Sequence, residues 1–214
     1  MMPGARDSLL DAAYGALSRA PWPRIRMVDV AASAGVSRQT LYNEFGGKDG
    51  LARALVRRET DAYLAGADRM LTTPPPPPDG SRGAPAAAHE RLTALAEWTV
   101  ATGRANPIVR AVLTGLWPQR LPAPSLAAVA STSVMPAQRR ADGSLPSPGE
   151  VLADVRERAV AALCGPKAGR VEAAEQARLC ELAMRLALSC LLVPAAGEGA
   201  AGLVRDTLPA LARR

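Results

Sequence analysis

Apolar residues recur at helical spacing along most of the chain, and stretches rich in proline or glycine separate the periodic segments. No internal repeat is evident. Alanine, leucine and arginine are abundant while aromatic residues make up 3% of the chain, which favours helix over strand. The sequence therefore predicts an all-α fold. Besides two short helices near the N-terminus, the predicted helices span residues 5–19, 48–71, 86–104, 107–117, 149–164, 171–193 and 199–213.

Residues 27–51 predict two short helices across a tight turn, with a long helix directly after them. Gly35 provides the backbone freedom with which the first helix can end, and Ser37 is a favourable N-cap for the second. The apolar stripe of the first helix consists of Val28, Val30, Ala31 and Ala34. This arrangement is typical of a helix-turn-helix.

The second short helix has one apolar and one polar side. Leu41 and Phe45 lie four residues apart and are expected to face inward together. The side chains left outside are those of Arg38, Gln39, Thr40, Tyr42 and Asn43. Because this face is rich in hydrogen-bonding groups and lacks an acid before Glu44, it suits the base edges of a DNA major groove.

The pattern resembles the TetR family of bacterial transcription regulators over residues 8–60. The resemblance is carried by Val30-Ala31, Gly35-Val36-Ser37, Leu41-Tyr42 with Phe45, and Lys48 with Leu51. Of these, the Leu-Tyr pair and Phe45 followed by Gly-Gly-Lys-Asp-Gly-Leu are the most specific. The resemblance implies a three-helix helix-turn-helix DNA-binding domain over residues 1–50, a linker helix over 48–71, and a helical ligand-binding and dimerisation domain over 72–214.

Roles for individual side chains follow from the motif and the resemblance. We expect Gln39 to contact adenine and Arg38 to contact guanine, since each can form two hydrogen bonds with that base. Phosphate contacts are expected from Ser37, Thr40, Tyr42 and Lys48, and Asn43 fits either kind of contact. For Thr40 and Asn43 simple solvation is an equal alternative.

One position departs from the family pattern. Members often have Thr or Ser at residues 26–27, where the hydroxyl caps the second helix and touches DNA. Here Arg26 and Met27 stand instead. Loss of a hydroxyl cap typically costs about 1 kcal/mol, although Arg26 itself is a candidate phosphate contact.

The two last helices are predicted to form a homodimer interface. The segment 175–193 is apolar on more than one face and must therefore be covered on several sides. In the family these helices pair with their copies, and a two-fold axis places two reading helices in successive major grooves of a palindromic operator. A core helix within a monomer is the alternative. The candidate interface residues are Leu179, Leu182, Leu186, Cys190, Leu203 and Leu208.

The family also implies a small-molecule pocket in the C-terminal domain. Its candidate lining consists of Trp98, Val109, Leu113, Leu116, Trp117 and Met184. Large apolar side chains in helices are more often ordinary core, so that alternative stands for each of them. An apolar lining with few charges indicates a hydrophobic effector.

Two proline-rich stretches interrupt the helices. Pro74 to Pro78 forbids helix and favours polyproline II, which indicates a long connection. Residues 118–149 predict either a disordered loop or a lid with some helix near 126–133.

Composition adds few constraints. The formal net charge of +6 suits a polyanionic partner, but it is too evenly spread to locate one. The three cysteines, Cys164, Cys180 and Cys190, lack metal-ligand spacing and are expected to be reduced and buried. Without a long apolar run or the apolar core of a signal peptide, the chain is expected to be cytoplasmic and not membrane-bound.

The sequence offers no enzyme site and implies no cofactor. Residues 197–202 match the dinucleotide-binding pattern G-x-G-x-x-G, but only twelve residues follow, too few for the required strand-helix-strand unit. A single histidine, His89, does not permit a confident catalytic assembly. The predicted function is a sequence-specific DNA-binding regulator, a repressor released from its operator by a hydrophobic molecule. The alternative is a small-molecule-binding or interaction protein of the same fold without specific DNA recognition.

Overall fold

The computed structural model describes residues 4–73, 84–122, 145–164, 168–194, 197 and 199–211. Within these ranges the regular structure is helical, with no strand, which confirms the predicted all-α class. A 3-10 turn at Trp22–Arg24 follows the first helix. The α-helices are α1 (Ala5–Leu17), α2 (Met27–Ser33), α3 (Arg38–Phe45), α4 (Lys48–Thr72), α5 (Ala84–Ala105), α6 (Pro107–Thr114), α7 (Pro148–Leu163), α8 (Arg170–Leu192) and α9 (Gly199–Leu211).

The chain divides into two compact units. The N-terminal unit comprises Met1–Thr60 together with Leu116–Leu145, and the C-terminal unit comprises Asp61–Gly115 together with Pro146–Arg214. The boundary between Thr60 and Asp61 falls inside α4. The first half of this helix therefore belongs to the N-terminal unit and the second half to the C-terminal unit. The short stretch of described residues after α6 therefore belongs to the N-terminal unit, although α6 itself does not.

The N-terminal unit is built from α1, α2, α3 and the first half of α4. Helix α1 packs against both α2 and α3, and α2 packs against α3. Two glycines allow these elements to approach and turn. Gly35 has φ +68° just past α2, while a Cβ on Gly50 would lie 1.8 Å from the Phe45 carbonyl oxygen. The core residues here include Leu9, Leu10, Ala13, Val30, Ala31, Leu41, Phe45, Leu51 and Leu55.

The C-terminal unit centres on α5, which packs against α6, α8 and α9, while α7 packs against α8. Gly66 allows a close contact in this unit, since a Cβ there would lie 2.3 Å from the Trp98 ring. Asn106 starts α6 by accepting hydrogen bonds from the Ile108 and Val109 amides. The core residues include Leu92, Leu95, Ile108, Val151, Val155, Ala183, Met184, Val204 and Leu208.

Helix α6 is shorter than predicted. It was expected to reach residue 117 but ends at Thr114, because Gly115 adopts φ 72° and its N–H caps the helix on the Ala111 carbonyl. Residues 115–122 and 145–147 lie outside helices. Helix α7 begins at Pro148, where Ser147 and Glu150 form a reciprocal capping box. The predicted polyproline segment 74–78 and the possible helix at 126–133 lie outside the described residues.

The cysteine side chains are free thiols in different surroundings. Cys180 and Cys190 are buried, whereas Cys164 is half-buried, so the expectation of reduced thiols is confirmed and that of full burial holds for two of them. Burial raises the pKa of Cys180 to about 12. None of the helices in the described ranges combines the length and apolarity needed to cross a bilayer.

Candidate nucleic-acid interface

Helix α3 presents a polar face supported from beneath by two buried side chains. Leu41 is 0% exposed and Phe45 is 3% exposed, as their four-residue spacing predicts. The exposed residues of this helix are Arg38, Gln39, Tyr42 and Asn43, and Thr40 is half-buried. The predicted division into an inner apolar side and an outer polar side is confirmed, except that Thr40 is less exposed than predicted.

Two side-chain amides on this face are linked. Gln39 Nε2 donates to Asn43 Oδ1 at 2.8 Å, across one helical turn. The bond leaves Gln39 Oε1 as an acceptor and the second Nε2 hydrogen as a donor on the same planar group. An acceptor and a donor side by side match the N6 amino group and N7 of adenine in the major groove.

Ser37 and Thr40 satisfy each other at the start of α3. The Thr40 amide donates to Ser37 Oγ at 3.0 Å, which confirms Ser37 as the N-cap. Their two hydroxyl oxygens lie 2.8 Å apart, within hydrogen-bonding distance. Because one hydroxyl uses its single proton in this pair, the hydroxyl that accepts keeps its own proton and can donate it to a phosphate oxygen.

The Arg26 side chain forms an ion pair with Asp29. Arg26 occupies the N-cap of α2 without capping the helix through its side chain. Its Nε and terminal nitrogen donate to the two carboxylate oxygens of Asp29, at 2.8 and 2.9 Å. These hydrogen bonds lower the pKa of Asp29. A phosphate contact by Arg26 therefore has to compete with this two-pronged pair.

Lys48 lies at the start of α4 and contacts the 3-10 turn of residues 22–24. Its Nζ donates to the Pro23 carbonyl oxygen at 3.0 Å and lies 5.6 Å from the centre of the Trp22 ring. Partial burial lowers the pKa of this ammonium group. Trp22 itself is buried within the unit, consistent with a structural role for its ring.

The residues predicted to line a pocket do not all lie in one unit. Leu116 and Trp117 belong to the N-terminal unit, and Leu116 is 60% exposed. The other four lie in the C-terminal unit: Val109, Leu113 and Met184 are buried, and Trp98 is half-buried. The C-terminal unit therefore contains only part of the predicted set.

A buried polar pair lies beside two of these residues and was missed from the sequence. The hydroxyls of Tyr63 and Thr99 are 3.1 Å apart, and the Thr99 hydroxyl lies 3.9 Å from Met184 Sδ. The Tyr63 ring stacks on Trp98 with the centroids 5.3 Å apart. Burial raises the pKa of Tyr63, so its hydroxyl keeps its proton. The sequence contains one signal for the burial of Thr99: position 99 continues the apolar stripe of α5 formed by Leu92, Leu95 and Ala96.

The predicted interface residues differ in burial. Leu179, Cys190 and Leu208 are at most 2% exposed within the single chain and belong to its own core. Leu182 and Leu186 are half-buried, and Leu203 is 40% exposed. Other exposed apolar side chains here are Val171 (83%) and Leu192 (51%) on α8 and Val193 (74%) directly after α8. Of the predicted residues, Leu182, Leu186 and Leu203 can therefore touch a second copy without rearrangement of the core.

Comparison with known proteins gives an N-terminal family match. Residues 9–55 match the sequence model of bacterial regulatory proteins of the tetR family. The chain is 48% identical over 59 residues to the HTH-type transcriptional regulator AlkX of Mycobacterium tuberculosis. That alignment spans 28% of this chain and 28% of the relative, little more than a quarter of its length.

Two solved structures are similar over most of the chain. The TetR family repressor AlkX from a Dietzia strain, implicated in the biodegradation of n-alkanes, has a TM-score of 0.50 at 22% identity, covering 97% of this chain and 95% of that one. A tetR-family transcriptional regulator from Streptomyces coelicolor has a TM-score of 0.54 at 20% identity, covering 99% and 81%. At these identities the similarity concerns the fold. Residues 9–55 thus match the sequence pattern of the tetR family, and the chain as a whole has a fold similar to those of two TetR-family regulators.

Proposed function

We propose that the chain is a sequence-specific DNA-binding transcription regulator that reads its operator with α3. The observation that carries this proposal is the exposed polar face of that helix above the buried Leu41 and Phe45. A short helix held rigidly from beneath can enter the major groove without reorganising its own core. The match of residues 9–55 to the tetR family supports the same function.

The side chains divide into base-reading and phosphate-binding groups. Gln39 and Arg38 read base edges, adenine and guanine respectively. Ser37, Thr40, Tyr42 and Lys48 contact phosphates, with Arg26 as a further contact when it is released from Asp29. Asn43 acts through Gln39, whose amide it orients by the 2.8 Å hydrogen bond.

The regulator acts as a homodimer through α8 and α9. Support comes from the accessible apolar side chains of Leu192 at the end of α8, Val193 directly after it and Leu203 on α9. Substitution of Leu203 by Arg should convert a dimer to a monomer in light scattering after gel filtration. Val171→Arg is the matched control. Val171 is 83% exposed and lies in the first turn of α8, whereas Leu192 is the last residue of that helix.

The dimer represses from a palindromic operator and is released by a hydrophobic small molecule bound in the C-terminal unit. Trp98, Val109, Leu113 and Met184 form the apolar part of that site, and the Tyr63 and Thr99 hydroxyls add one polar point. Release requires the effector to bind the DNA-competent and DNA-incompetent conformations unequally. A panel of apolar molecules added to the protein–DNA complex tests this step. The panel includes n-alkanes because of the Dietzia relative.

Selection of bound fragments from a random DNA library by the purified full chain tests the central proposal. We expect enrichment of an inverted repeat with half-sites about 10 base pairs apart. Binding should weaken steeply with salt, because phosphate contacts release counterions. Gln39→Ala should relax preference at one position of each half-site, whereas Lys48→Ala should weaken binding to all fragments alike.

Two results would contradict this assignment. Equal effects of Gln39→Ala and Lys48→Ala on base preference would remove the distinction between reading and anchoring residues. Failure to enrich any sequence, with ligand binding retained in the C-terminal unit, would favour a binding protein of this fold without DNA recognition. The lack of a side-chain cap at Arg26 is the observation that keeps this second function in consideration.

A further inference from the structure

The described stretch after α6 forms part of the N-terminal unit. The Trp22 amide donates to the Arg120 carbonyl oxygen at 2.8 Å, a bond between residues far apart in the sequence. Leu121 next to it is 7% exposed, and its own amide donates to the Pro118 carbonyl at 2.9 Å. Residues 116–122 are therefore attached to this unit by a backbone hydrogen bond and by a buried side chain.

Trp22, whose amide donates to Arg120, is also the residue whose ring lies next to the Lys48 ammonium group. The Lys48 ammonium lies 5.6 Å from the Trp22 ring and donates to the carbonyl of the next residue, Pro23, at 3.0 Å. An ammonium within about 6 Å of an indole ring is attracted to it. A chain of contacts thus runs from the Arg120 carbonyl through residues 22 and 23 to the charged end of Lys48.

We propose that residues 116–122 are a positioning element for the phosphate contact made by Lys48. By fixing the turn at residues 22–24, this segment determines where the ammonium group lies before DNA arrives. A lysine side chain has about 2 kcal/mol of rotamer freedom to lose on binding, and prior ordering reduces that loss. The inference rests on the proposed DNA-binding function and assigns to that function residues outside the helix-turn-helix.

The covalent order of the chain gives this arrangement a regulatory meaning. Leu116 directly follows Gly115, which ends α6 of the C-terminal unit. Besides α4, this segment is thus a covalent connection between the C-terminal unit and the surroundings of Lys48. A change that withdraws residues 116–122 from Trp22 releases Lys48 without any change in α3.

The test compares two leucine truncations in the full chain. Leu121→Ala removes the buried anchor, and Leu116→Ala is the matched control because that side chain is 60% exposed. On a selected operator fragment, Leu121→Ala should weaken binding about threefold to tenfold, the range of a single phosphate contact. In a Lys48→Ala background it should have almost no further effect, since the contact that it positions is gone. Leu116→Ala should have no effect in either background.

Hydrogen exchange of the Trp22 amide provides a readout that does not involve DNA. We expect faster exchange in Leu121→Ala and unchanged exchange in Leu116→Ala. Trp22→Phe, which keeps the amide and an apolar ring but weakens the cation–π contact, replaces Leu121→Ala if that variant does not fold. It is expected to show the same loss of effect in the Lys48→Ala background.

Two outcomes would overturn the inference: losses that simply add in the Lys48→Ala background, or Trp22 exchange unaffected by Leu121→Ala. Absence of DNA binding by the unmodified chain would instead refute the proposed function. The exchange measurement would then still decide whether residues 116–122 are attached to Trp22.

Discussion

Gln39 and Asn43 share a 2.8 Å hydrogen bond on the exposed face of α3, with the glutamine amide as the donor. The bond restricts rotation of the Gln39 amide and leaves one acceptor and one donor of that group pointing away from Asn43. An unrestrained glutamine can present its amide in two orientations. A restrained one favours adenine, whose major-groove edge has the complementary order of groups.

Asn43→Ala should therefore reduce discrimination between adenine and guanine at one position of each half-site, by up to about tenfold. Affinity for DNA of unrelated sequence should change little. Base preference is measured by competition between operator variants that differ at single positions. Asn43→Asp is the control: it keeps the acceptor for Gln39, so the preference should remain although the added charge weakens binding to every sequence. A purely structural role of Asn43 would instead leave the preference of the Ala variant intact.

Asp29→Asn should strengthen DNA binding without changing base preference. The substitution removes the charge that holds Arg26 in its two-pronged pair and makes the guanidinium available to a phosphate. The slope of log affinity against log salt should then become steeper by up to about 1. Asp206→Asn has the same effect on net charge but lies on α9, so it should leave the slope unchanged. Equal slopes in the two variants would exclude Arg26 as a competing contact.

Two glycine-to-alanine substitutions in helices should have opposite effects on stability. Gly66→Ala places a methyl group 2.3 Å from the Trp98 ring and should lower the free energy of unfolding by about 1–3 kcal/mol. Gly15→Ala meets no atom within 4 Å and should raise it by about 0.5–1 kcal/mol. Thermal or denaturant unfolding measures both. Stabilisation by Gly66→Ala would mean that α4 and Trp98 are not in close contact.

Glu150 should make the stability of α7 depend on acidity. Hydrogen bonds from the Ser147 amide and side chain lower its pKa in the folded chain. Because the pKa is lowered only in the folded state, ionised Glu150 contributes to the free energy of unfolding at pH values above the ordinary carboxyl pKa. This contribution is lost as pH falls through the lowered value. Unfolding measured from pH 7 to pH 3 should show a weaker pH dependence in Glu150→Gln, whose amide oxygen still accepts from Ser147 without titrating. An unchanged profile would contradict the capping role.

The local parts of the candidate site could be predicted from the sequence. Ser37 as an N-cap, Gly35 at the turn and the inward pair Leu41 and Phe45 all fall within residues 35–45, so local spacing determines them. The end of α6 was missed by three residues. The apolar pattern continues to Trp117, while the conformation of Gly115 terminates the helix.

The remaining contacts depend on distant segments and could not be read from spacing. Nothing in the sequence around Lys48 indicates that its ammonium lies between the Pro23 carbonyl and the Trp22 ring. The Tyr63 and Thr99 hydroxyls lie on different helices, and each looks like an ordinary position of its own apolar stripe. The pairing of Arg26 with Asp29 could have been predicted from the sequence, since opposite charges three residues apart at a helix start lie close enough to pair.

The absence of a side chain at Gly50 has a consequence for how the proposed DNA contacts can diversify. Backbone meets backbone at this point, because any Cβ would fall 1.8 Å from the carbonyl oxygen of Phe45. The angle between α3 and α4 is thus set by main-chain atoms and does not depend on the outward-facing side chains of α3. Under the proposed function, exchange of Arg38, Gln39 or Asn43 can therefore change the operator preference while the position of α3 relative to α4 stays the same.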